Sequence, residues 1–170
     1  MRLFVALTFP PAVHAALLGA QNALKKQGRG NFTREENLHL TLAFIGETDR
    51  VEEARAALRE ITASPATLQS NKAGAFDDLI WVGAELTPSL AALQREVAQR
   101  LKDHGFSLEK RAFRPHITLC RRFVPYGKRD LIAVEQALGK ANCRAEQVIL
   151  MESLRVDGKL IYRPVEMKKL

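Results

Sequence analysis

A tetrapeptide pattern occurs twice in this 170-residue chain, as His39-Leu40-Thr41-Leu42 and as His116-Ile117-Thr118-Leu119. Alternate side chains of a strand share a face, so each copy offers an imidazole and a hydroxyl side by side, backed by apolar residues that a core can hold still. Imidazole changes charge near neutral pH, where it can take or give a proton. Two of them can divide a displacement, one deprotonating the attacking group while the other protonates the leaving one. Threonine hydroxyls beside them suit the non-bridging oxygens of a phosphate, and a nearby arginine would offset the charge that develops there. Metal-free phosphodiester chemistry is the best match for this set.

Other chemistries fit less well. Neither motif has the ligand set of a zinc site, so no metal and no cofactor is expected. A serine or cysteine nucleophile would lack its elbow motif and an evident base. Cys120 and Cys143 have no CxxC spacing and read as buried, reduced thiols. A lone histidine on a strand is usually a structural residue; two at equivalent positions reverse that weighting. His14 and His104 fall on expected helices with no hydroxyl partner, which suits surface or packing roles.

The elements that must position the motifs follow from pattern. Arg2 to Phe9 alternates as a strand and stops at Pro10-Pro11, and Val13 to Lys26 continues as a helix with Val13, Leu17 and Leu24 inward. Gln27 to Asn31 reads as a basic, glycine-containing loop, and Leu38 to Ile45 as the strand with the first motif. Val51 to Ile61 is a short helix after the possible caps Thr48-Asp49, and strands follow over 68–76 and 79–86, joined at Asp77-Asp78. The pattern then restarts. Thr87-Pro88 opens a helix reaching His104, Phe113 to Arg122 carries the second motif, and Lys128 to Leu138 is helical. Strands over 147–156 and 159–167 flank the hairpin turn Asp157-Gly158. Phe4-Val5-Ala6 matches Trp81-Val82-Gly83, Pro11 matches Pro88 and His39 matches His116, each 77 positions apart. This internal repeat places the motifs as symmetry mates facing one cleft.

Length allows a single domain over residues 1–170 with a sufficient core. The apolar run in Met1 to Pro11 is broken too soon for a signal peptide or a membrane span, so a soluble cytoplasmic protein with no membrane partner is expected. No heptad or large exposed patch suggests an obligate oligomer, and a monomer is expected. Twenty-six Lys and Arg against nineteen Asp and Glu give +7, pointing to an anionic partner without naming it. Between Arg95 and Arg129, around the second motif, ten basic residues face three acidic ones. The plain reading of such a run is a solvated face; the motif inside it favours phosphate attraction.

The context Asn37-Leu38-His39-Leu40-Thr41-Leu42-Ala43-Phe44-Ile45-Gly46 and the run Phe113-Arg114-Pro115-His116-Ile117-Thr118-Leu119 resemble the bacterial RNA 2′,3′-cyclic phosphodiesterases, also called 2′-5′ RNA ligases, of the two-histidine phosphoesterase superfamily. The likeness covers essentially the whole chain. It implies an α+β fold, bilobal with pseudo-two-fold duplication, in which two antiparallel sheets flank a central cleft with helices outside. It implies hydrolysis of RNA ends bearing a 2′,3′-cyclic phosphate to a 2′-phosphate, with reversible 2′-5′ ligation as a companion activity. By the same resemblance His39 is the general acid that protonates the departing 3′ oxygen and His116 the general base that activates water, while Thr41 and Thr118 hold phosphate oxygens.

The family often has an arginine five residues after the second histidine, which lands on Arg121. Strict alternation from His116 instead puts Arg122 on the histidine face, and a β-bulge or strand end would reconcile the two. Arg121 is taken as the phosphate ligand with Arg122 as its substitute. Phe44, five residues past His39, could stack on a base, though a core position is the more ordinary reading. Lys25, Lys26 and Arg29 could meet an RNA backbone, or simply be solvated. A non-catalytic RNA- or nucleotide-binding module, and a phosphodiesterase for small cyclic phosphates, are the alternatives.

Overall fold

The computed structural model describes all 170 residues. In chain order they form β1 (Arg2–Leu7), α1 (Pro11–Lys25), β2 (Gly28–Phe32), β3 (Leu40–Glu47), α2 (Val51–Arg59), β4 (Ala66–Phe76) and β5 (Leu79–Ala84). Then follow α3 (Pro88–Asp103), β6 (His116–Pro125), α4 (Leu131–Leu138), β7 (Asn142–Ala145), β8 (Gln147–Val156) and β9 (Lys159–Lys169). The class is α+β, and every strand pairing is antiparallel. No helix is long and apolar enough to cross a membrane.

Helix starts follow their chemistry. Pro11 and Pro88 begin α1 and α3, where a missing N–H removes no helical bond, and Thr87 Oγ1 accepts from Leu90 N at 3.3 Å. Val13, Leu17, Ala20 and Leu24 make the buried stripe of α1, and Leu90, Leu93, Val97 and Leu101 that of α3. The hairpin turns at Asp77 and at Asp157-Gly158 adopt the positive φ they require, 53°, 50° and 77°.

The strands run β7-β4-β5-β6-β3-β1-β8-β9, with β2 on the edge of β6. Two separate sheets were expected, and here the structure differs. The two halves are joined where β3 meets β6, at the single pair Leu40 and Ile117. Beyond that point the strands part, and β2 takes over the rest of that edge of β6, supplying ladder partners that would otherwise be missing. Residues 27–31 are accordingly not a loop. Their glycines serve close approach: a Cβ on Gly30 would lie 2.6 Å from Cys120 Sγ, and one on Gly28 2.4 Å from the Val124 carbonyl.

Helices cover one face of this sheet and leave the other to the site. Leu3, Val5 and Leu7 of β1 belong to the main core, whereas Phe4 and Ala6 pack on the opposite face with Ile149, Met151 and Tyr162. The helices also cross over. α1 follows β1 yet packs against α4, β2 and β6, while α3 follows β5 yet packs against α2, β3 and β4.

Candidate active site

The Leu40–Ile117 pair is the centre of the site. Continued one residue either way, its antiparallel register sets His39 against Thr118 and Thr41 against His116, and residues opposed across antiparallel strands project from one face. Leu40 and Ile117 point into the core. Both tetrapeptides therefore contribute to one cluster of two imidazoles and two hydroxyls. His39 stands one residue ahead of β3, and β6 begins at His116, just after Pro115, which has no N–H to give a ladder.

The two rings are fixed alike. His39 Nδ1 lies 2.7 Å from the Asn37 carbonyl, and His116 Nδ1 2.7 Å from the Arg114 carbonyl. A carbonyl only accepts, so Nδ1 carries the hydrogen in each ring and Nε2 is left for chemistry. At His39, Nε2 meets Thr41 Oγ1 at 3.0 Å, and in the neutral ring the hydroxyl is the donor. Asn37 is itself buried and is anchored by its Nδ2 donating to the Leu160 carbonyl at 3.0 Å.

Aromatic walls fix the remaining freedom. Phe4 and Tyr162 stand 5.0 and 4.9 Å from His39, ring centre to ring centre, with Tyr162 edge-on. Phe76 and Trp81 stand 5.5 and 6.2 Å from His116, with Phe76 edge-on. Sequence reasoning used Phe4 and Trp81 only as landmarks of the repeat and missed Phe76 and Tyr162. Their common signal, position on a hairpin strand feeding the same face, becomes visible only with register.

Burial pushes the His39 imidazole below its ordinary value of 6.5. The hydrogen bond to Asn37 opposes the shift, and the charges of Arg121 and His116 add to it. His39 thus rests neutral, within electrostatic reach of both groups. Burial raises the Tyr162 phenol, against the pull of Arg121 and Arg2. Burial also pushes the Cys120 thiol up to about 11, as expected of an inert core cysteine.

Two bulges decide which residues follow the histidines. β1 pairs Val5 with Ala43 and Ala6 with Thr41, passing over Leu42. β5 pairs Ile80 with Cys120 and Trp81 with Thr118, passing over Leu119. One extra residue reverses the alternation beyond it, so Phe44 and Arg121 take the histidine face. A buried glutamine steadies the second bulge: Gln21 Nε2 donates to the carbonyls of Leu119 at 3.0 Å and Thr33 at 2.7 Å. Gln94 Nε2 reaches the Leu42 carbonyl at 3.4 Å. Arg122 is exposed at φ 53°, where β6 makes a further irregularity against β2. Phe44 is not a core residue; it is 53% exposed and leans on Phe4 at 5.9 Å. Of Lys25, Lys26 and Arg29, Lys25 lies over the Phe32 ring at 5.2 Å.

A family model described as the 2′-5′ RNA ligase superfamily matches residues 9–157. The chain belongs to that superfamily. An RNA 2′,3′-cyclic phosphodiesterase of Thermotoga maritima is 34% identical over 131 residues, which is 71% of this chain and 70% of that one. The RNA 2′,3′-cyclic phosphodiesterase of Methanocaldococcus jannaschii is 26% identical over 174 residues, 98% of this chain and 99% of the relative. The crystal structure of Escherichia coli LigT complexed with 3′-AMP superposes with a TM-score of 0.74 at 24% identity, covering 99% of this chain and 96% of that one, and so shares the fold.

Proposed function

We propose that this member of the 2′-5′ RNA ligase superfamily is a single-domain, metal-independent RNA 2′,3′-cyclic phosphodiesterase. It opens the cyclic phosphate at RNA ends to leave a 2′-phosphate. The observation that carries this reading is the matched pair of imidazoles, each held through Nδ1 by the carbonyl two residues earlier and presenting Nε2 from one face of the β3–β6 junction. A binding protein has no need of two proton carriers mounted alike. The relatives' names support the same substrate class.

In this reading the phosphorus sits between the rings. His116 Nε2 takes a proton from water as its oxygen bonds to phosphorus, and the bond to O3′ breaks as His39 Nε2–H gives that oxygen its proton. Thr41 and Thr118 donate to non-bridging oxygens, and Arg121 offsets the growing negative charge. Since the free His39 is neutral, the substrate's own anionic charge must raise its proton affinity on binding; Thr41 Oγ then turns from Nε2 to the phosphate. The same steps in the same direction, with a 5′ hydroxyl in place of water, form the O5′–P bond as the P–O3′ bond breaks and give a 2′-5′ linkage; their reverse cleaves that linkage. The 77-residue offset between β1 and β5, and between the two bulges, supports a duplicated, bilobal origin for the cleft.

The test is incubation with an RNA ending in 2′,3′-cyclic phosphate. The expected product carries a 2′-phosphate, EDTA leaves the rate unchanged, and His39→Ala or His116→Ala each lowers kcat by roughly 10²- to 10⁴-fold with the circular dichroism spectrum retained. Turnover that survives both single changes would sink the mechanism.

A further inference from the structure

Beside His39, on the same face of the sheet, a second set of polar groups has no part in the steps above. β1 pairs Arg2 with Ser153, and β8 pairs Ser153 with Tyr162, so the three lie in one cross-strand row. Arg2 precedes Phe4 by two residues and so shares its face, and Phe4 touches both His39 and Tyr162. The row ends at Glu47, registered against Arg2 on β3. Counting Arg121, which acts on both His39 and Tyr162, two guanidinium groups stand with one carboxylate on this face. Arg2 is exposed and its guanidinium forms no ion pair within the chain.

We infer that Arg2 and Tyr162 form a subsite for the phosphodiester on the 5′ side of the terminal nucleotide, so that the site selects RNA ends over free nucleoside cyclic phosphates. The inference rests on the proposed reaction. If His39 serves O3′, the ribose lies on the His39 side of the phosphorus, with in-line water on the His116 side. The 5′ oxygen of that ribose, and the phosphate it carries, then extend outward past His39. On that face Tyr162 stands 4.9 Å from His39, and Arg2, whose charge acts on Tyr162, lies in the same cross-strand row, while exposed Phe44 on the same strand as Thr41 offers the base a flat partner. A guanidinium and a phenol hydroxyl can both donate to a phosphate oxygen. A nucleoside 2′,3′-cyclic phosphate with a free 5′ hydroxyl brings no charge to this place.

The experiment compares kcat/KM for adenosine 2′,3′-cyclic phosphate bearing either a 5′ hydroxyl or a 5′-methylphosphodiester, which adds the charge without a second base. The wild-type protein is expected to prefer the phosphodiester by roughly five- to twenty-fold. In Arg2→Gln that ratio falls towards one, and in Tyr162→Phe, which keeps the ring against His39, it falls part of the way. A wild-type ratio of one, or a ratio unmoved in both variants, would overturn the subsite while leaving the phosphodiesterase reading intact. Failure of the wild type on both compounds and on a cyclic-phosphate RNA end would overturn that reading, and the subsite with it.

Discussion

At the scale of single residues, the environment of His39 makes a measurable demand. The ring is half-buried among Phe4 and Tyr162, and burial outweighs the Asn37 hydrogen bond in setting its proton affinity. The unfolded chain therefore binds this proton more readily than the folded one between the depressed folded value and the ordinary 6.5. His39 thus favours folding fully above about pH 6.5, and that contribution is lost as pH falls through the window. An NMR titration of the histidine side chains should find one ring below 6.5 in the free protein, moving upward when inorganic phosphate is added. A His39 that titrates at or above its ordinary value without ligand would contradict the burial account. The two histidines and their threonines were legible in the sequence because chemistry and periodicity agree there. Phe44 was legible only as a second reading beside a core position, because an aromatic residue between apolar neighbours reads first as core until the bulge at Leu42 is known.

At the scale of elements, the bulges do what alternation alone denies. Arg121 takes the histidine face because β6 carries one residue too many opposite β5, and the carbonyl of that extra residue, Leu119, is held by Gln21 from α1. Replacing Gln21 by Leu leaves the carbonyls of Leu119 and Thr33 without this donor in a buried setting, at about 1–3 kcal/mol. Urea unfolding should show that loss. If the bulge steers Arg121, KM for the cyclic-phosphate RNA should rise as well, which a merely less stable protein with an unmoved Arg121 would not show. The resemblance's arginine position hinted at a bulge or strand end here, but no local pattern places it at Leu119, since the donor that holds it lies 98 residues away from its acceptor. The same blindness hid β2: its glycines look like a loop, and only the closeness of Cys120 and Val124 explains them as a strand pressed on a neighbour.

At the scale of the whole molecule, the crossing of the helices ties the halves together. α1 belongs to the first half of the chain by sequence but packs against α4, β2 and β6, and α3 from the second half packs against α2 and β3. A fragment of residues 1–77 would hold β1 without β8 and α1 without α4, exposing much of its apolar stripe. It is expected to lack cooperative thermal unfolding and dispersed amide resonances, whereas two halves that fold separately would defeat the single-domain account. The shared 77-residue offset of the motif landmarks was readable from the sequence; the packing of the helices away from their preceding strands was not, because periodicity records which face of a helix is buried and says nothing of the partner. One consequence reaches the laboratory bench. Trp81 is the chain's sole tryptophan, and it leans on Phe76 at 5.1 Å with His116 beside it. A protonated imidazole quenches indole emission, so the intrinsic fluorescence of the unlabelled protein should report the charge state and occupancy of the histidine face in real time.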